Sequence, residues 1–444
     1  MNPATVRALP AVSLVPRPGE PAWLRVARAE ARAWLAAHGY PTTKDEDWRY
    51  EPLEALLGAE AEPVAVRAST TAVSQLLGAA PVLGGSRLVF VDGFFYPGLS
   101  ELGAGDGGVR VGNLVGRAKG HDPRPLVGAG SQSFRHGFAA LGTAFASDGA
   151  YVHLGPGAAM KGPLHLVFVT TERPRPTLSA TLNFVVAAPG SRATLVLTHL
   201  GAPDARGVAL CTLQLTLGEG AEVGLYGFQD QPLGVDYLEL VEAKLQAGSR
   251  LEAAVAAVGG RLARHELCAQ LLGRGAVADI AGVYVPGEGQ CHDFPVLVRH
   301  AAPGATSRQV HRGVADGDGR AIFNGHVVVE EGAGGTDAAQ SDLNLLLSDR
   351  AEVDTRPRLE IYADEVSCTH GAAVGQPDPE VLFYMRSRGL SEAEARALLV
   401  DGFVSEVVNR FRPPALSGHL RARLARRLDA WPAGGAPALV ETGT

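Results

Sequence analysis

The chain has 444 residues, of which 46% are apolar and 20% are charged. This balance is typical of a folded globular protein and excludes an intrinsically disordered one. The formal net charge of −7 disfavours a nucleic-acid-binding function, because binding to phosphate backbones depends on an excess of lysine and arginine.

The amino terminus predicts neither secretion nor membrane insertion. Residues 1–23 contain several prolines and no continuous apolar segment, unlike a signal peptide. No apolar run reaches the ~18 residues that a membrane-spanning helix needs. We therefore expect a cytoplasmic protein that binds no membrane and has reduced thiols. The four cysteines contain no Cys-x-x-Cys pair and so form no self-contained metal motif: Cys211, Cys268, Cys291 and Cys368.

The first predicted element is an amphipathic helix over residues 21–38. Apolar side chains recur there at helical spacing, and Gly39 is a suitable stop. A polar segment and a weakly patterned Ala/Val stretch follow. We assign residues 1–84 to an N-terminal, mainly helical region.

From Arg87 onward, short β-rich runs such as LHLVFVTTE and ATLVLTHL alternate with glycine turns. Six turn glycines recur 27 to 30 residues apart: Gly190, Gly220, Gly248, Gly275, Gly304 and Gly332. This period is too short for a propeller blade, which needs about 40–45 residues, and it favours a β-solenoid of stacked coils. An antiparallel sandwich, which also has many short strands, is the alternative. The predicted β core spans residues 85–372.

Helical patterns return in the predicted C-terminal helical domain, residues 373–444. Asp378 and Pro379 form a cap for a helix over residues 379–388, and Ser391 opens a capping box for a second helix over residues 392–410. A third helix is predicted from four leucines at helical spacing: Leu416, Leu420, Leu424 and Leu428.

Two groups of residues could carry chemistry, and the chain contains neither a phosphate-binding loop nor a serine-nucleophile motif. Four acidic residues could form a carboxylate cluster of the kind used by solenoid enzymes that cleave polysaccharides: Asp342, Asp349, Asp354 and Asp364. Surface carboxylates are the alternative interpretation.

The second group is Cys368 and His370 in the segment EVSCTHGAAVGQ, residues 365–376. On a strand, residues two apart face the same side, so a thiolate and an imidazole could jointly bind iron or zinc. Two ligands are too few for a closed site, which needs about four. Either the remaining ligands come from elsewhere, or these are an ordinary buried cysteine and a hydrogen-bonded histidine. We interpret Gly371 and Gly375 as the turn into the C-terminal domain.

Three segments resemble the SufB/SufD family of iron–sulfur cluster assembly scaffolds, and Cys-x-His-Gly-Ala followed by LFYMRSRG is most similar to its SufD branch. They are residues 342–408, FAALGTAFASDGAYVHL at 138–154 and DEDWRYEPL at 45–53. The resemblance implies a mainly β fold, a right-handed parallel β-helix flanked by N-terminal and C-terminal helical domains. It also implies a non-catalytic subunit.

The same resemblance implies partners and a site. A SufB-like β-helix subunit would pair with the chain, a SufC-like ABC ATPase would bind its C-terminal helices, and a cysteine desulfurase would deliver sulfur through SufB. His370 matches the family histidine at the SufB–SufD interface, where iron or a nascent cluster would be held transiently, and Cys368 is its neighbour. A reduced flavin is associated with the complex, although no flavin motif is present. In isolation the chain could form a homodimer.

Candidate contacts for the ATPase are Phe383, Tyr384, Arg388 and Phe403, for which core packing is the alternative. Two other functions compete with the scaffold interpretation: a solenoid polysaccharide hydrolase or lyase, and a stand-alone metal-binding protein.

Overall fold

A computed structural model describes residues 20–58, 61–64, 66–103, 107–117, 123 and 134–429. Within these ranges the helices lie before and after a long series of strands. The helices are α1 (Ala22–His38), α2 (Leu53–Leu57), α3 (Thr70–Leu77), α4 (Leu114–Arg117), α5 (Gly137–Phe145), α6 (Pro379–Ser387), α7 (Glu392–Val408) and α8 (Pro414–Asp429). Short 3-10 helices occur at Glu46–Trp48 and Pro97–Leu99.

The strands form two long sheets, and from β5 to β20 successive strands alternate between them. Sheet A has the order β19-β17-β15-β13-β11-β9-β7-β5-β4, with β1 against β7, and sheet B has the order β20-β18-β16-β14-β12-β10-β8-β6-β2-β3. The early strands are β1 (Glu62–Pro63), β2 (Ser86–Val91), β3 (Phe94–Phe95), β4 (Val109–Asn113), β5 (Ala150–Leu154), β6 (Leu164–Thr170), β7 (Thr177–Ala187), β8 (Arg192–Gly201), β9 (Gly207–Leu217) and β10 (Glu222–Asp230). The later strands are β11 (Val235–Leu245), β12 (Arg250–Ala257), β13 (Leu262–Leu271), β14 (Val277–Tyr284), β15 (Cys291–His300), β16 (Thr306–Ala315), β17 (Arg320–Val329), β18 (Asp337–Leu346), β19 (Glu352–Ile361) and β20 (Ser367–Gly375).

Each coil of the solenoid therefore contributes one strand to each sheet. Strands two apart in sequence pair in parallel from β6 through β20, for example β8 with β10 and β18 with β20. The solenoid prediction is confirmed, and this parallel pairing rules out the antiparallel sandwich.

Turn glycines stack from coil to coil because the turn needs a left-handed backbone, which glycine adopts without strain. Gly220 has φ 63°, and its N–H donates to the carbonyl of Ala247 in the next coil at 2.8 Å. Of the six predicted glycines, Gly332 does not continue this ladder. Gly335 does, since it lies against Gly304 and donates to the carbonyl of Glu365 at 3.0 Å.

Inward-facing side chains of both sheets fill the solenoid with an apolar core, because alternate residues of a strand point to opposite faces. The outer faces are covered separately. The N-terminal segment packs on sheet A through Trp48, Leu53 and Leu56, and α7 and α8 pack on sheet B through Val404 and Leu420.

The helix predictions are largely confirmed. The first predicted helix corresponds to α1, which ends at Gly39 with φ 72°. Ser391 and Glu394 form the predicted capping box of α7. No helix among the described residues is long and apolar enough to cross a membrane. The predicted domain boundaries stay predictions; β20, at the second of them, extends to Gly375.

Candidate functional site

The last coil of the solenoid ends in two long strands with a free edge. β19 and β20 are the terminal strands of sheets A and B, and within the described chain each pairs on one side only. The N–H of Ser367 donates to Thr336 at 2.9 Å and that of Tyr362 donates to Val329 at 2.8 Å. These donors fix which side of each strand faces the solenoid, so the main-chain groups on the other side are unpaired and available to another strand.

Cys368 and His370 both lie on β20, with Ala338 and Gln340 as their register partners on β18. Ala338 belongs to the solenoid core, so Cys368 and His370 lie on the inward face of the last coil. The interpretation of Gly371 and Gly375 as a turn is wrong, because both are part of β20 and pair with β18. The strand continues because the ladder to β18 supplies partners for its backbone groups.

The two side chains differ in environment. Cys368 is half-buried against the core, and burial raises the pKa of its thiol. His370 is exposed to solvent at the end of the solenoid. An uncharged thiol and an accessible imidazole therefore stand side by side on a surface that no further coil covers.

Beneath them the solenoid interior is polar rather than apolar. Gln340 is buried, and neither its amide nitrogen nor its oxygen has a hydrogen-bond partner. Asp342 accepts hydrogen bonds from the hydroxyls of Tyr284 at 2.7 Å and Thr355 at 2.6 Å, and from the amide of Asn344 at 2.7 Å. Burial raises the pKa of Asp342. This polar floor connects β18 and β19 directly below the free edge.

The four acidic residues considered as a hydrolytic cluster do not converge. Asp342 faces the interior, whereas Asp354 is bound by Arg320 at 2.6 Å and pairs with the outward-facing Ile322. Asp349 and Asp364 are exposed. A glycosidase needs two carboxyl groups within about 10 Å on one cleft, and opposite faces of a sheet do not offer one.

The helices after β20 present aromatic side chains to solvent. Phe383 and Tyr384 on α6 are 74% and 58% exposed, and the guanidinium of Arg388 lies 5.2 Å from the Tyr384 ring. Phe403 on α7 differs, since it is half-buried against the core beneath the helices and lies 5.9 Å from Arg312. Three of the four candidate contacts are therefore accessible, and the fourth also serves packing.

Comparison with known proteins assigns this architecture to a family. A family model described as "SUF system FeS cluster assembly, SufBD core domain" matches residues 168–403, which is more than half of the chain. The chain belongs to the SufB/SufD family. A second model, "SufBD protein N-terminal region", matches residues 17–166. The recognition made from the sequence is confirmed, and membership gives the chain a role in iron–sulfur cluster assembly by the SUF system.

Curated relatives agree along most of the chain. The iron–sulfur cluster assembly protein SufD of Escherichia coli K12 is 30% identical over 406 residues, covering 89% of this chain and 90% of that protein. A SufBD family protein of Synechocystis is 28% identical over 411 residues, 89% of each chain. SufD of Bacillus subtilis is 26% identical over 295 residues, covering 66% and 67%.

The family block at residues 45–53 has a structural role in this SufB/SufD chain. Trp48 is buried, with the guanidinium of Arg264 3.7 Å from the centre of its ring. Glu51 pairs with Arg264 at 3.1 Å, and Asp47 pairs with Arg358 of β19 at 2.8 Å. The block therefore ties the N-terminal segment across the outer face of sheet A as far as the terminal strand.

Sequence reasoning missed a second group of residues inside the solenoid. His199, Cys211, Glu239 and His265 meet there although they come from four strands. Cys211 pairs in register with Glu239, and Glu239 with His265. The available signal was their spacing of 28 and 26 residues, close to one coil, because residues one coil apart stack in a parallel solenoid.

Proposed function

We propose that the chain is the SufD-like, non-catalytic scaffold subunit of a cytoplasmic SUF complex. It pairs with a SufB-like β-helix subunit through the free edges of β19 and β20, and it binds a SufC-like ABC ATPase through its C-terminal helices. The observation that carries this proposal is the bare last coil, in which two long strands, a cysteine and an accessible histidine share one surface.

The free edge supports pairing with another β-helix. Natural proteins usually protect edge strands by keeping them short or covering them, and β19 and β20 are neither. Ile361, Tyr362 and Val374 add exposed apolar area at 42%, 61% and 42%. Pro357 of β19 also fits an edge position. Backbone nitrogens alternate between the two sides of a strand, and the N–H of Glu352 donates to Gly319 on the solenoid side. The nitrogen of Pro357 therefore faces away from the solenoid, where proline removes no hydrogen bond of the ladder.

The cluster site is shared between the two subunits in this proposal. His370 supplies an imidazole ligand to iron or a nascent cluster, and Cys368 is a less exposed neighbour. Because a closed site needs about four ligands, the partner supplies the others. Sulfur reaches the partner from a cysteine desulfurase. The metal and cluster are cargo, held only while the interface is complete, and a reduced flavin belongs to the complex rather than to a motif of this chain.

Coupling to the ATPase follows from chain connectivity. Pro379 begins α6 only four residues after β20 ends at Gly375. An ATPase that binds Phe383, Tyr384 and Arg388 would pull on the segment next to His370. Rigid-body movement of the helices could then open or complete the shared site.

The pairing is tested by Ala372→Pro. The N–H groups of a strand point alternately to its two sides, and that of Ser367 bonds to β18. The N–H of Ala372, an odd number of residues further, therefore points to the free edge. Proline there should block addition of a partner strand while it keeps the ladder to β18.

Co-purification with a SufB-like subunit and a SufC-like ATPase is the measurement. Ala372→Pro should lose the SufB-like subunit but keep its unfolding midpoint, whereas Ala372→Ser, which retains the N–H, should pair normally. Unchanged pairing of the proline variant would reject the edge as the interface. In isolation, size-exclusion chromatography should show whether two copies use the same edge as a homodimer.

The shared site is tested by His370→Ala. The variant should assemble with both partners but fail to mature iron–sulfur enzymes in cells. Thr369→Ala is the matched control, because Thr369 is exposed on the same strand but faces outward. Normal iron–sulfur enzyme activity with His370→Ala would remove this residue from the site.

A further inference from the structure

The solenoid interior contains a second set of potential ligands, away from the free edge. His199 on β8 in sheet B faces Cys211 on β9 and Glu239 on β11 in sheet A, and their ligand atoms all lie within 4.8 Å of one another. The three side chains are 3%, 3% and 5% exposed. The group therefore lies buried in the interior, several coils before Cys368 and His370.

Orphaned polar atoms point to a ligand at this position. Nε2 of His199 is buried 3.6 Å from Oε1 of Glu239, and the buried hydroxyl of Tyr237 lies beside Glu239 and Cys211. Neither contact has the geometry of a normal hydrogen bond. Buried polar atoms are nearly always satisfied, so two unsatisfied ones beside a thiol need an explanation.

No lysine or arginine of the described residues forms an ion pair with Glu239. Among the described residues, the ion-pair partners of Glu239 are only His199, with Nε2 3.6 Å from Oε1, and His265, with Nδ1 2.8 Å from Oε2. A buried carboxylate held only by imidazoles is costly. A divalent cation bound by one carboxylate, one thiolate and a neutral imidazole would make the set electrically neutral.

We propose that His199, Cys211 and Glu239 bind one divalent transition-metal ion of the zinc type inside the solenoid. Thiolate, imidazole and carboxylate together are a ligand set for zinc. Binding displaces the thiol proton of Cys211 to solvent. His265 positions Glu239 by holding its second oxygen, which is the usual second layer of a metal site.

A small cavity adjoins the cluster. It measures ≈ 20 Å³ and is lined by His199, Cys211 and Tyr237, whereas Glu239 lines neighbouring cavities, so the Tyr237 hydroxyl or a water could take the fourth position from this side. Zinc bonds of 2.0–2.3 Å place tetrahedral ligand atoms about 3.3–3.8 Å apart. The separation between His199 Nε2 and Glu239 Oε1, 3.6 Å, already lies in this range, and the widest separation, at most 4.8 Å, would close by about 1 Å on binding. The amide of Asn183 already donates to the sulfur of Cys211 at 3.5 Å.

The experiment uses the purified full-length chain after dialysis against a chelator. Zn²⁺ uptake is measured by elemental analysis, and Co²⁺ is used as a spectroscopic probe of the same site. We expect one metal ion per chain, a Co²⁺–thiolate charge-transfer band and the visible spectrum of tetrahedral Co²⁺. A wild-type Co²⁺ complex without the thiolate band would overturn the proposal, as would a chain that takes up no metal.

Variants separate this site from the rest of the protein. Cys211→Ser should abolish the charge-transfer band, and His265→Gln should weaken Zn²⁺ binding by about 10–100-fold without changing the stoichiometry. Cys291→Ser is the matched control, since Cys291 is buried on the outward face of β15 and should leave the band intact. His370→Ala should also bind one ion. The experiment therefore distinguishes a failure of the proposed site at the free edge from a failure of the site inside the solenoid. An unchanged spectrum in Cys211→Ser would reject the assignment.

Discussion

The two ends of the solenoid are built from similar coils but finish differently. At the start, the terminal strands β4 and β3 are five and two residues long and pair antiparallel to their neighbours. Helix α1 packs on the outer face of sheet A beside this end, with Trp23 edge-on against Phe184 of β7 at 6.2 Å. At the other end, β19 and β20 are ten and nine residues long and parallel to their neighbours, and no strand of the described ranges pairs with their outer edges.

The difference shows how one β-solenoid can end in short strands on one side and in long, accessible strands on the other. Terminal strands as short as β4 and β3 offer few main-chain groups to a further strand. The other end offers two long strand edges and exposed apolar side chains, next to His370. The same coil geometry therefore serves stability at one end and recognition at the other.

The largest expected effect is on the covered end. Phe184→Ala removes a fully buried ring beneath α1 and should lower the free energy of unfolding by about 3–5 kcal/mol. Ile361→Ala truncates an apolar side chain on the terminal strand β19 that is 42% exposed, and it should lower the free energy of unfolding by roughly 1 kcal/mol or less. Urea denaturation of both variants measures the contrast. Equal losses would mean that the last coil is as well packed as the first.

The N-terminal segment around Trp48, which covers the outer face of sheet A, can be detached at Arg264. This residue is 2% exposed and binds Glu51, Glu266 and Asp293 beneath the N-terminal segment. Arg264→Ala leaves the buried carboxylates of Glu51 and Asp293 without their cation, while Glu266 keeps Arg135 and His136. The variant should destabilise the protein by about 3–5 kcal/mol. Limited proteolysis should then cut near Trp48.

A surface pair provides the control for Arg264. Arg192 lies 3.4 Å from Glu222 and both are exposed, so Arg192→Ala should cost at most about 1 kcal/mol. If Arg264→Ala is equally mild, the buried cluster is not what holds the cover in place.

Acid should weaken both ends alike, because both contain buried histidines. Burial lowers the pKa of His165 on β6 and of His311 on β16 to about 3. Between that value and the unfolded pKa of about 6.5, the unfolded chain binds more protons, so stability is complete above pH ~6.5 and is lost as the pH falls. Each histidine should contribute about 1.4 kcal/mol per pH unit in this window.

Unfolding measured at about pH 7.5 and about pH 5 checks the acid effect. His165→Gln and His311→Gln should each reduce the difference between the two pH values by about 2 kcal/mol. A pH dependence that both variants leave unchanged would show that these imidazoles titrate normally in the folded protein.

The smallest effect concerns the turn that follows Gly335 in the stack of turn glycines. Glu365 occupies it with φ 54°, a left-handed backbone that costs a non-glycine residue about 1 kcal/mol. Glu365→Gly should therefore raise the free energy of unfolding by up to ~1 kcal/mol, while Gly335→Ala, at φ 73°, should lower it by a similar amount. A lower stability of Glu365→Gly would show that its side chain contributes more than the turn costs.

The sequence predicted much of the fold because its signals are local. Gly39 ends α1, Ser391 begins α7, and the turn glycines set a coil of about 28 residues. The prediction failed where local and long-range signals diverged. Gly332 has the expected spacing, but Gly335 is the residue that stacks, because the preceding turn is longer.

The candidate site was only partly accessible to sequence reasoning. Cys368 and His370 could be placed on one face from their spacing alone. That their strand has a free edge depends on the absence of a further coil in the described chain, which no local pattern reveals. The cluster of His199, Cys211 and Glu239 was missed because its members are far apart in sequence and one comes from the opposite sheet.

By itself, then, the sequence determined the coil length, the approximate bounds of α1, α6 and α7, and the placement of Cys368 and His370 on one face of a strand. Each follows from backbone preferences within a few residues. Only the tertiary structure decided which coil is left bare and which side chains meet inside the solenoid. The physical reason is that stacking of coils brings together residues about one coil apart in sequence. Residues of opposite sheets also meet in the interior, and their separation in sequence does not reveal that contact.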